Sequence, residues 1–145
     1  MRDLAPLLHI RNGCIHGESR RPLVSKLIGG LRQGDVVVFR YPLNHRQTFI
    51  KRVIGLPGDR IHIENKQVFR NGEPLTEPYV THVASMDSRD AMRDNFPETV
   101  VPANSLFVLG DNRDNSLDSR YFGFVSRDDI LARPWVIYWH GPARK

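Results

Sequence analysis

Tight-turn signals recur at short intervals through the middle of the chain, and they leave room for little except short antiparallel strands. Asp35-Val-Val-Val-Phe-Arg-Tyr41 is a β-branched run stopped by Pro42, and Phe49–Ile54 is a second, closed by Leu56-Pro-Gly-Asp59. Arg60–Glu64 and Gln67–Arg70 flank Asn65-Lys66 as the arms of a hairpin, and Asn71-Gly72 marks another tight turn. Such turns join strands that fold back on each other, whereas parallel strands need crossovers of about a dozen residues or more. Val100–Leu109, broken by Pro102-Ala-Asn-Ser105, and Ala132–Trp139 continue the strand pattern, and Leu23–Ile28 precedes the Gly29-Gly30 break. Ser126-Arg-Asp-Asp129 has the spacing to cap one short helix. The sequence therefore predicts a mostly β fold: a compact barrel or sandwich of short antiparallel strands with little helix.

A chain of 145 residues suits one core. Residues 1–22 show neither a period of two nor one of 3.6, so they read as an irregular segment, unrelated or disrupted, ahead of an ordered unit over 23–145. Within that unit the polar, weakly patterned stretch from about 81 to 98 reads as an excursion. The formal net charge of +5 favours anionic neighbours such as an acidic membrane surface. Nucleic acid is not supported, because the Lys and Arg residues are scattered and no aromatic residues interleave with them as a stacking platform requires. Cys14 is the only cysteine, which excludes an intrachain disulfide and a Cys-based metal cage. No run approaches the ~18–20 apolar residues that cross a bilayer.

One residue in the strand pattern stands out. Lys51 sits inside Phe49-Ile-Lys-Arg-Val-Ile54, an otherwise largely apolar strand. Alternation puts Lys51 with Phe49 and Val53 on one face and Arg52 with Ile50 and Ile54 on the other, so periodicity alone does not choose between the two cations. Chemistry does: a guanidinium keeps its proton, whereas burial can lower a lysine pKa by as much as ~3–5 units and leave a general base. The plain alternative is a pair of exposed strand charges.

The run Gly110-Asp-Asn-Arg-Asp-Asn-Ser116-Leu-Asp118-Ser119-Arg120 invites a calcium reading that its details refuse. Arg113 stands at a ligand position, Ser116 at the obligatory glycine and Phe122 at the terminal glutamate. A loop that ties itself together fits better, with Asp and Asn side chains capturing backbone amides and Asp118 pairing with Arg113 or Arg120. The six histidines, at 9, 16, 45, 62, 82 and 140, show no zinc-ligand spacing, and no Gly-x-Ser-x-Gly elbow is present.

Three runs in order, Gly34-Asp-Val-Val-Val-Phe39, Phe49-Ile-Lys-Arg-Val-Ile-Gly-Leu-Pro-Gly-Asp59 and Gly110-Asp-Asn-Arg-Asp-Asn-Ser-Leu-Asp-Ser-Arg-Tyr-Phe-Gly-Phe124, resemble the catalytic domain of bacterial type I signal peptidase. The resemblance spans about residues 23–140. It implies a Ser/Lys endopeptidase that removes signal peptides from exported preproteins, without metal or cofactor, on the outer (periplasmic or extracytoplasmic) face of the cell membrane. It further implies that Lys51 is the general base, that Ser116 hydrogen-bonds its amine, and that Asp118 and Arg120 brace the loop behind. Phe49 and Ile50 would wall the pockets for small side chains before the scissile bond.

The resemblance also implies a nucleophile in a Ser-Met-x-Pro motif ahead of the lysine, following a membrane anchor. No Ser-Met-x-Pro occurs in this sequence: the corresponding position falls near Arg11, in Arg-Asn-Gly-Cys-Ile-His16. Ser19 and Ser25 are the nearest hydroxyls and Cys14 is a thiol substitute, but none has the flanking residues, so the nucleophile is unassigned. Three readings stay open for this: an inactive relative, a truncated reading of an active enzyme, and a fragment with unrelated first residues. Two rival functions remain beside them, a repressor-type Ser/Lys autoprotease and a non-catalytic module that binds extended peptides by strand addition.

Overall fold

The computed structural model describes residues 14–15, 30–82 and 91–134. It shows mostly strands in two antiparallel sheets with little helix, as the turn spacing predicts. The first sheet contains β1 (Cys14–Ile15), β2 (Val36–Tyr41), β3 (Asn44–Gly55), β8 (Ser105–Leu109), β9 (Val125–Ser126) and β10 (Ile130–Ala132). Its order is β10-β2-β3-β8-β9, with β1 pairing separately against β3. The second sheet runs β6-β5-β4-β7, with β4 (Arg60–Glu64), β5 (Gln67–Arg70), β6 (Glu73–Pro74) and β7 (Phe96–Val100).

The β4–β5 hairpin forms as the sequence predicts. Glu64 faces Gln67 across the sheet, and Asn65 and Lys66 both take positive φ, 48° and 69°, as a two-residue primed turn requires. Asn71 and Gly72, at 54° and 85°, make the same turn before β6. In the Leu56–Asp59 turn Gly58 sits at φ 88°, a conformation open to glycine at little cost. Ser126 caps a single 3-10 turn over Arg127–Asp129 by accepting from the Asp128 N–H.

One strand, β8, divides the core. β8 is buried on both faces: Leu106 and Val108 join Val37, Phe39, Phe49 and Val53 in one apolar cluster, while Phe107 and Leu109 join Ile54, Ile61, Ile63 and Val68 in the other. Each such side chain contributes roughly 1.5–3 kcal/mol relative to exposure, so this five-residue strand anchors both sheets. The loop that follows β8, beginning at Gly110, is thus held at its root by a strand buried on both faces.

Three element boundaries differ from the sequence reading. β3 begins at Asn44 rather than Phe49, because pairing with β2 across Pro42-Leu43 carries polar, exposed His45, Arg46 and Gln47 into the ladder. β7 takes in Phe96–Glu98, which read as excursion; it is an edge strand, where Pro97 loses no ladder bond and Glu98 faces water. Within the same stretch Ala91–Asp94 is a short helix, α1. The predicted strand at Leu23–Ile28 and the end of Ala132–Trp139 lie outside the described residues.

Candidate active site

Lys51 lies near the middle of β3, between β2 and β8, opposite Val37. It shares the face of Phe49 and Val53, both buried, and is itself half-buried, which excludes the reading of it as a freely exposed strand charge. Its Nζ donates to Ser116 Oγ at 3.0 Å and lies 5.8 Å from the centre of the Phe49 ring. The serine stands 65 residues further along the chain, so the pairing depends on the fold. Ser116 is neutral and can serve either protonation state of the lysine, accepting from an ammonium or donating to an amine.

Arg52, on the opposite face, is held quite differently. Its guanidinium forks onto Asp111 at 2.8 and 2.7 Å and donates to the Gly34 carbonyl at 2.8 Å. The Asp111 hydrogen bond, acting against burial, raises the arginine further above its ordinary range. Among the contacts described, Arg52 thus meets a carboxylate and Lys51 a hydroxyl.

The loop that presents Ser116 is built around Asp118 and Arg120. Asp118 caps α2 (Ser119–Phe122), accepting from the Arg120 N–H at 3.3 Å and from its side chain at 2.8 Å through each oxygen, and from the Gly110 N–H at 3.1 Å. Arg120 also donates to the carbonyls of Arg93 and Arg113, at 3.0 and 2.9 Å. Ser119 Oγ accepts from the Val108 N–H at 2.9 Å and stitches the loop to β8. Of the two partners the sequence offers Asp118, the structure selects Arg120.

Gly110 forms the floor of the site. A Cβ there would lie 2.1 Å from Ser116 Oγ and 3.4 Å from Lys51 Nζ, so the hydroxyl occupies space that any other residue would fill. The Gly110 carbonyl accepts from Arg113 Nε at 2.9 Å, and Arg113 forks onto Glu77 at 2.9 and 2.6 Å. Tyr79 OH donates to the same Glu77 at 3.0 Å, and the Arg52 guanidinium lies over the Tyr79 ring, 3.8 Å from its centre. Burial, reinforced by Glu77, pushes the Tyr79 hydroxyl up to about 12, so it remains a donor at neutral pH. Sequence reasoning missed Glu77 and Tyr79; the only local signal is Pro78, which favours extended backbone at Glu77.

On the far side of the loop, Asp114 is buried among Lys66, His82 and Arg93, with Lys66 Nζ at 3.1 Å. Burial alone would push its carboxyl up, but the Lys66 hydrogen bond and the surrounding positive charge outweigh it and hold it below the usual carboxylate range.

Phe49 is stacked on Tyr41 at 4.6 Å and packed against Phe39 and Phe122, while Ile50 is half-buried on the other face of β3. The backbone of Cys14 and Ile15 pairs with Phe49 and Thr48, which lays β1 alongside the strand that carries Lys51. Arg11, Ser19 and Ser25 lie outside the described residues. Among the described residues no group of three or more His, Cys, Asp or Glu side chains is arranged to hold a metal ion.

Residues 11–139 match the family model described as signal peptidase, peptidase S26. The chain is 37% identical to signal peptidase I of Bacillus caldolyticus over 145 aligned residues, covering 88% of this chain and 79% of that protein. It is 34% identical to signal peptidase IB of Staphylococcus aureus strain COL, covering 81% and 65%, and 36% identical to probable signal peptidase I-2 of Synechocystis, covering 84% and 56%. The crystal structure of a signal peptidase I from Enterococcus faecalis V583 superposes with a TM-score of 0.60 at 30% identity, covering 72% of this chain and 97% of that one.

Proposed function

The chain belongs to the peptidase S26 family of signal peptidases, and from that premise we propose that it is a Ser/Lys endopeptidase that removes N-terminal signal peptides from exported preproteins. The observation that carries the reading is the 3.0 Å hydrogen bond between Lys51 Nζ and Ser116 Oγ, made over a glycine floor. In this reaction the neutral Lys51 amine takes the proton of a hydroxyl supplied by the segment ahead of β2. That oxygen attacks the scissile carbonyl, and backbone N–H groups stabilise the oxyanion. The resulting ammonium returns its proton to the leaving amine, and water, activated by the same lysine, hydrolyses the acyl-enzyme. Ser116 orients the amine through both proton transfers, Asp118 and Arg120 brace Ser116, and Phe49 and Ile50 wall the pockets for small side chains.

The partners are signal peptides presented at a membrane surface, and the catalytic domain works on the outer face of the cell membrane. Among the described residues no helix is long and apolar enough to cross a membrane. The lack of Ser-Met-x-Pro favours a second reading, a relative that binds extended peptides without cleaving them.

An Ala-x-Ala peptide separates the two. Binding and turnover are measured on this chain and on a variant carrying Ser-Met-x-Pro at residues 11–14. Turnover that falls about 10²–10⁴-fold in Lys51→Met, with the fold and binding retained, is the expected result. Binding without turnover in both chains supports the non-catalytic module, and cleavage by Lys51→Met at the parent rate removes Lys51 from the role of base.

A further inference from the structure

We infer that Glu77 is a positioning residue for the Lys51–Ser116 pair, acting through Arg113 on the Gly110 floor; the inference rests on the general-base reading of Lys51. Three separate ties bind residues 77–82 to the loop that follows β8. Glu77 takes the Arg113 fork. Tyr79 packs against Arg52, whose other contacts fix Asp111. Thr81 runs parallel to Asn112, with its N–H donating to the Asp111 carbonyl at 3.0 Å and its carbonyl accepting from the Arg113 N–H at 3.2 Å.

Of these, the Glu77 tie reaches the reacting groups. The Arg113 and Glu77 side chains are only 4% and 8% exposed, so the guanidinium depends on this carboxylate for its charge balance. The same guanidinium holds the Gly110 carbonyl, and the α-carbon of Gly110 is the surface on which Ser116 Oγ rests. Without Glu77 the guanidinium must seek water or another carboxylate, and it leaves Gly110 as it goes. A floor that shifts by a few tenths of an ångström loosens a 3.0 Å hydrogen bond and admits water to Lys51. Tyr79, donating to the same carboxylate, keeps Glu77 aimed at Arg113.

A purely structural ion pair would lower the melting temperature without touching the lysine. The test follows the Lys51 side-chain NMR signal through pH, and the hydrogen exchange of the Gly110 and Arg113 amides, in the full chain. The variants are Glu77→Gln, Glu77→Asp and, as a control in the second apolar cluster away from Arg113, Ile61→Val. In Glu77→Gln the Lys51 titration moves toward that of an ordinary lysine and the two amides exchange about tenfold faster; Glu77→Asp restores part of both, and Ile61→Val moves neither. Unchanged titration and exchange in a folded Glu77→Gln overturns the inference, as does an equal response in Ile61→Val. If Glu77→Gln does not fold, Tyr79→Phe removes one tie without stranding a charge, and about threefold faster Gly110 exchange is expected; no change there is equally fatal. A wild-type Lys51 that already titrates as in solvent defeats the general-base reading alone, because the amide exchange still reports on the floor.

Discussion

Two aspartates in this molecule do the same local job in different surroundings. Asp59 closes the turn into the second sheet, accepting from the Leu56 N–H at 2.8 Å, Arg70 at 2.7 Å and Asn71 at 2.9 Å. Asp118 closes the turn that carries Ser116, accepting from the Gly110 and Arg120 N–H groups and from the Arg120 side chain. Each ties backbone N–H to an arginine side chain. Yet Arg70 is 29% exposed and Asp59 12%, whereas Arg120 and Asp118 are 1% and 0% exposed. Burial decides what each cluster can be used for. The first can loosen into water at modest cost and serves as a turn lock; the second has no water to turn to, so it holds its loop in one geometry, which a proton-transfer site needs.

The largest expected effect comes from removing each carboxylate. Asp118→Ala strands a buried guanidinium and should cost about 3–5 kcal/mol in denaturant unfolding, along with the Ser116 geometry. Asp59→Ala should cost about 1–2 kcal/mol, because Arg70 can reorient into solvent. Equal losses at the two positions would break the comparison.

Glycines near the two clusters sharpen it. Gly110→Ala drives a methyl into Ser116 Oγ and should cost about 1–3 kcal/mol, with loss of the Lys51–Ser116 hydrogen bond and of turnover. A Cβ at Gly58 meets nothing within 4 Å, so Gly58→Ala pays only for its positive φ, about 1 kcal/mol, and leaves the site intact. Unfolding curves and peptide cleavage on both variants check the pair.

The smallest effect is in acid. At Asp59 burial pushes the carboxyl up, but Arg70, Asn71 and the Leu56 N–H together outweigh it and hold it below the usual range. Asp114 is depressed in the same way by Lys66 and its neighbours. A folded-state value below the unfolded one adds stability that is complete above the ordinary aspartate value of about 3.9 and is lost as pH falls below it toward the folded value. Asp59→Asn should therefore flatten the decline in stability below about pH 4 while leaving its shape above that pH unchanged.

Much of this arrangement is legible in the sequence where its cause is local. Asn71-Gly72 takes positive φ, which both residue types favour, and so does Asn65 in the first hairpin; Lys66 follows it there without any such signal of its own. Lys51 stands out from Arg52 because only one of them can lose a proton, and Ser116, Asp118 and Arg120 are marked by the family run that contains them. β7 is hidden by Pro97 and Glu98, which look unlike a strand until its position at a sheet edge is known. The Arg113–Glu77 pair is hidden by distance: the partners are 36 residues apart, and only the fold brings them together. The choice of Arg120 for Asp118 leaves Arg113 free for that longer reach, and no local pattern records it.

The proposed mechanism requires that the half-buried Lys51 amine can accept a proton at neutral pH. Its most direct test is the pH titration of the Lys51 side chain in the folded wild-type chain, followed by NMR on selectively labelled lysine. The predicted midpoint lies well below the ordinary lysine value of about 10.4, and the signal disappears in Lys51→Met. A midpoint at the ordinary value, with the 110–120 loop intact by hydrogen exchange, would contradict Lys51 as the general base.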